Sequence, residues 1–149
     1  MKHLIAAALL ALPTPALADW SWEQRPGFAK ARTVSGNYIL ELSCRQGDQA
    51  LEMSIFDQTL RGDAFPGLRS VMMWITLPDG RTHRQAVDVF QEDASISGIY
   101  YVSDFTLDFF RNGRSYEVDI PTRGGEKLMQ GNMKGSGAAR LAFLEQCGL

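Results

Sequence analysis

Tyr38-Ile39-Leu40-Glu41-Leu42-Ser43-Cys44 is the stretch that decides the fold. Tyr38, Leu40, Leu42 and Cys44 share one face and Ile39, Glu41 and Ser43 the other, the two-residue period of a half-buried strand. Cys44 is therefore expected to point into a core. Leu51, Met53 and Ile55 repeat the alternation against Glu52, Ser54 and Phe56. Between the two runs, Gln46-Gly47-Asp48-Gln49 has the composition of a turn, which makes the pair a hairpin.

The same period continues outward. Val71 to Leu77 is apolar on both faces, with Met72 and Trp74 opposite Val71, Met73 and Ile75, and predicts a strand inside a sheet. Pro78-Asp79-Gly80 turns the chain. The more polar run from Thr82 to Phe90 is expected at a sheet edge or with one face in water. Ile96 to Val102, Tyr116 to Ile120 and a segment near Lys127 to Met133 complete the set, with a short first strand around Trp20 to Glu23.

Two segments break the pattern. In Ser103 to Gly113, Ser103 is placed to cap a short helix that buries Phe105, Phe109 and Phe110, yet Phe105, Leu107 and Phe109 also alternate, and Asn112-Gly113 suits a hairpin turn. We favour the helix. At the C-terminus, Ser136 is a candidate N-cap for a helix over Gly137 to Gln146 with Ala138, Leu141, Leu144 and Cys147 on its buried stripe, and Gly148 is suited to end it.

The N-terminus fixes the expected compartment. Lys2 and His3 precede an apolar run from Leu4 to Leu12, Pro13 and Pro15 interrupt it, and Ala16-Leu17-Ala18 supplies a small-x-small cleavage pattern. The expected organisation is a signal peptide over 1–18 and one β-rich domain over 19–149. The apolar run is about half the length of a membrane span, so no integral span is expected after cleavage. Removing 1–18 takes away Lys2 and no acid, so 15 basic and 17 acidic residues become 14 and 17, a formal charge of −3. That balance is too mild and too mixed to suit nucleic acid. Both cysteines of the chain remain, and in an oxidising compartment Cys44 and Cys147 are expected to pair. Closing a loop of about a hundred residues stabilises a fold by roughly 4 to 5 kcal/mol on the chain-entropy account. The fold class expected is mainly β: an antiparallel sandwich or curled sheet with a short C-terminal helix pinned by that disulfide.

Chemistry-bearing residues are sparse. His83 is the one histidine beyond residue 18; flanked by Arg81 and Arg84, it is expected to be a solvated strand residue. No Gly-x-Ser-x-Gly elbow or phosphate-binding loop motif is present. Asp104 and Asp108 share a helix face if the helix forms, but charge at a helix start and a solvated side chain account for them. No catalytic residue, cofactor or metal site is assigned. The aromatic content is high, and strand alternation leaves Trp74, Tyr101 and Phe56 on second faces as candidates for partner contact.

Trp20 and Trp22, the strand ending Leu40-Glu41-Leu42-Ser43-Cys44, and the ending from Gly135 to Cys147 together resemble the type VI secretion-associated VasI-like proteins of the bacterial periplasm and, more distantly, the invasion-associated locus B family. The resemblance implies a β-sandwich with no established enzymatic role. The expected function is that of a non-enzymatic periplasmic or secreted accessory protein that binds a protein partner or other component of the cell envelope. The alternative is an inhibitor of an exported hydrolase such as lysozyme, for which Ser35-Gly36-Asn37-Tyr38 is a loop cue.

Overall fold

The computed structural model describes residues 19–149, so the signal peptide expected over 1–18 lies outside the described residues. The alternating run at Tyr38 forms a strand, β3 (Tyr38–Arg45), with Leu40, Leu42 and Cys44 buried. It pairs on one side with β4 (Ala50–Asp57) through the expected turn. On the other side it pairs with β2 (Phe28–Ser35), whose inward residues are the small Ala29, Ala31 and Thr33. Those short side chains gave the sequence reading no apolar alternation to find.

The remaining strands are β1 (Trp20–Arg25), β5 (Ser70–Thr76), β6 (Thr82–Glu92), β7 (Ser95–Tyr101), β8 (Ser115–Ile120) and β9 (Glu126–Asn132). All pairings are antiparallel, in the order β1-β2-β3-β4-β7-β6-β5-β8-β9. The polar strand β6 is thus interior to the sheet and not at its edge. Its polarity reflects one wet face. β6 pairs with β5 through Asp88 and with β7 from Val89 onward, so it joins the two halves of the sheet. Gly98 of β7 sits opposite Val89, where a Cβ would run into the Asp88 carbonyl and Val87. Glycine is what lets β6 leave one neighbour for the other there.

The sheet curls until its ends touch. The Trp20 backbone N–H donates to the Lys134 carbonyl (2.9 Å), and its indole Nε1 donates to the Asn132 carbonyl (3.1 Å). The Ser35 hydroxyl donates to the Gln130 carbonyl (2.8 Å) and accepts from the Gln130 N–H (3.2 Å). Trp20 is almost fully buried and meets Phe110 and Tyr116 edge-on at 5.0 and 5.5 Å between centroids, the geometry that aromatic quadrupoles favour.

Ser103–Gly113 resolves as a helix, α1 (Asp104–Asn112). The Ser103 hydroxyl accepts from the Thr106 N–H, satisfying a first-turn donor. Thr106, Leu107, Phe109 and Phe110 face inward, whereas Phe105, expected inside, is exposed. The terminal helix α2 (Ser136–Cys147) packs on β1, β2 and α1 and is bonded to β3 through Cys44–Cys147. Ser136 is its first residue and not its cap; the hydroxyl donates to the Phe110 carbonyl (2.6 Å), tying the two helices together. Its buried stripe is Ser136, Ala139, Ala142, Phe143 and Cys147. Leu141, expected inside, is exposed, and Leu144 is half-buried. Among the described residues, no helix is long and apolar enough to cross a membrane.

Candidate functional site

The inner face of the sheet is filled by its own side chains and by the helices, which leaves the outer face as the surface free to act. On the β2-β3-β4-β7-β6 half, strand register decides which outward residues are neighbours. Val34 lies opposite Ile39, and Ile39 opposite Phe56, so three apolar side chains form a row across β2, β3 and β4. Opposed residues stand about 5 Å apart. The row continues to Ser95 of β7. Next to Ser95 on the same face, Ser97 faces Phe90 of β6, which is 60% exposed, and the Ser54 and Ser97 hydroxyls share a hydrogen bond of 2.8 Å. Small serines therefore floor the space between Phe56 and Phe90.

The loop leaving β4 borders the same end of the sheet. Asp57 is enclosed and accepts from the Thr59 hydroxyl (2.6 Å), the Thr59 N–H (2.8 Å) and Arg61 Nε (3.0 Å). Its carboxyl is held below the usual carboxylate range, chiefly by the Thr59 hydroxyl, with the Thr59 N–H and Arg61 adding to the effect against the cost of burial. Gln58 donates from its backbone to the Asn37 carbonyl and from its side chain to the Gly36 carbonyl, which fixes the loop to the β2–β3 turn. Out of this fixed loop projects Leu60, 81% exposed and in the left-handed region at φ 56°. That conformation costs a non-glycine residue on the order of 1 kcal/mol, and no internal packing offsets it here.

The residues expected to form a contact patch do not form one. Phe56 belongs to the apolar row. Tyr101 is exposed on the outward face of β7, but six residues beyond Ser95, the residue opposite Phe56, so the two rings are roughly 20 Å apart along the strands. Trp74 is half-buried on β5, beyond β6, with its indole Nε1 donating to Asp119 Oδ2 (2.9 Å) and Arg84 over its ring. Val34, Phe90 and Leu60 were missed. Val34 was hidden with its strand, and the alternation of Val87 and Val89 against Asp88 and Phe90 was the signal for the second.

His83 is not solvated as expected. The alternation of β6 turns it inward with Val87 and Val89, and α1 lies over that end of the strand, so its ring contacts Phe105 and Phe109, each at 5.6 Å. Its Nε2 is enclosed with no hydrogen-bond partner. Asp104 is exposed at the start of α1, while Asp108 pairs with Arg140 of α2 at 3.5 Å, so the two serve different ends of the helix. Among the described residues, no three His, Cys, Asp or Glu side chains are grouped to hold a metal ion. No protein-family model, curated protein or solved structure matches the chain.

Proposed function

We propose that this protein is a non-enzymatic accessory domain of the bacterial cell envelope, periplasmic or released, that docks a protein partner on the outer face of β2, β3, β4, β7 and β6. The observation that carries this reading is the row Val34–Ile39–Phe56, extended by Phe90 across a serine floor and flanked by Leu60. Scattered exposed apolar residues are ordinary, but a row in register on a rigid sheet is the composition of an interface core. The leader pattern over 1–18, the Cys44–Cys147 bond and the resemblance to the VasI-like group support export.

A fixed Ser35–Tyr38 turn beside the same row also supports the alternative role as an inhibitor of an exported hydrolase such as lysozyme. Affinity capture from envelope extract with the parent and with V34S/F56S/F90S separates the readings. A specific partner retained by the parent and lost by a variant of unchanged melting temperature supports docking on this face. Equal retention by both refutes it. Dose-dependent inhibition of lysozyme by the parent, weakened in the variant, instead identifies the partner as the hydrolase.

A further inference from the structure

The outer face of β5, β8 and β9 is a second surface, built on other principles. Register lays two short rows side by side across it: Thr76, Ser115 and Asn132 in one, Trp74, Glu117 and Gln130 in the other. The short hydroxyl side chains beside the longer ones leave a groove of about 690 Å³. Small-molecule sites fall in the range of roughly 300 to 1,000 Å³.

Half-buried Trp74 and the inward-facing Tyr116 are the aromatic residues that line this groove, and Trp74 is held in place on its outer face. Its Nε1 donates to Asp119 Oδ2 at 2.9 Å, and the Arg84 guanidinium sits 5.5 Å from the ring centroid. A wall already fixed loses little freedom when a ligand stacks on it. The polar groups are oriented too. The Gln130 side-chain carbonyl accepts from Lys127 Nζ (2.9 Å), and the Asn132 side-chain carbonyl accepts from the Lys134 N–H (2.9 Å). Both amides therefore keep their NH₂ groups as donors. Glu117 is paired with Lys127 at 2.8 Å and retains acceptor capacity, while the Thr76 and Ser115 hydroxyls serve in either sense.

The charges decide the ligand class. Of the cations at the groove, Lys127 is paired with Glu117, Arg84 lies over the Trp74 ring and Arg114 stands with Asp119 in the lining, so they do not form the cluster of bidentate arginines that is the usual device for phosphate or sulfate. An apolar ligand would strand the hydroxyls and amides without partners. A pyranose meets both demands: its hydroxyls donate and accept, and its C–H face is attracted to an aromatic π face. We propose that this groove binds a neutral oligosaccharide. The site is independent of the apolar row, and either stands if the other fails.

The test is a titration of the ¹⁵N-labelled, disulfide-bonded protein with chitotetraose and, in parallel, cellotetraose, each up to about 10 mM. Saturable shifts are expected for the Trp74 indole N–H and for the backbone amides of Ser115, Glu117 and Gln130. Trp74→Ala is expected to weaken binding at least about tenfold. Ser115→Tyr, which fills the groove with Trp74 left in place, is expected to abolish it, and Phe56→Ala on the other half of the sheet is expected to leave it unchanged. A response to one sugar alone supports the proposal and states whether the acetamido group is read. No response to either sugar, shifts mapping away from the groove, or full binding by the folded Ser115→Tyr variant overturns it. Tighter binding of a sulfated tetrasaccharide than of both neutral ones overturns the neutral class.

Discussion

Phe143 and Leu141 lie two residues apart in α2 and have opposite surroundings. Phe143 is fully buried against Phe110 (centroids 6.1 Å apart), and Leu141 is 53% exposed. Phe143→Ala should cost about 3 to 5 kcal/mol and Leu141→Ala less than about 0.5 kcal/mol, read as urea midpoints with the disulfide intact. The helix itself was legible in the sequence, but its rotation was not. A strict every-third-residue stripe from Ala138 to Cys147 spans nine residues at 100° each, which sets its ends on opposite sides of the helix. Counting back from the disulfide in fours and threes gives Phe143, Ala139 and Ser136, the stripe that is buried. Asp57 yields a second residue-scale expectation. Its folded carboxyl binds a proton less readily than the unfolded one, so its stabilisation is complete above about pH 4 and lost as pH falls through the lowered folded value. Thr59→Val removes the strongest hydrogen bond to that carboxylate and should flatten the acid limb of stability against pH, with the loss of stability largest at neutral pH and smallest in acid. An unchanged acid limb would show that Thr59 is not the group that holds Asp57 ionised.

Among the elements, β6 meets one of the two expectations for a polar strand, a face in water, and not the other, a place at the edge of the sheet. A strand carrying Arg84, Asp88 and Gln91 looks like an edge, yet β6 lies between β5 and β7 because it changes neighbour at Asp88–Val89, pairing with β5 up to Asp88 and with β7 from Val89. Gly98→Ala places a methyl on the Asp88 carbonyl and should destabilise the fold by about 2 kcal/mol or more, in thermal or urea unfolding. A loss within 0.5 kcal/mol would show that β6 accommodates a shift there. Composition could not reveal that change of neighbour, because it depends on one glycine in a different strand. His83 was misjudged for a related reason: polar sequence neighbours describe the wet face of β6, whereas the histidine sits on the face that α1 covers. β2 escaped notice because its inward positions are Ala29, Ala31 and Thr33, and those small residues are what allow α2 to lie close.

For the whole molecule, the legible parts were those set by local period and by the two cysteines: the mainly β class, the hairpin at Tyr38, both helices and the Cys44–Cys147 bond. The candidate surface was legible only in Phe56. Its other members are brought together by register across strands distant in sequence, with Val34 and Phe90 separated by β3, β4 and β7. Long-range pairing also explains how Trp20, at the start of the described chain, comes to hold β9 through Asn132 and Lys134. On the function proposed above, the outer face carrying Val34, Phe56 and Phe90 is covered by a partner protein in the cell envelope. Photo-crosslinking in intact cells is the test, with a photoreactive amino acid placed singly at position 34, 90 or, as a control at the opposite end of β6 about 26 Å from Phe90, 82. One shared adduct is expected from positions 34 and 90 and none of that mass from 82. Adducts from all three positions alike, or from 82 alone, would contradict it.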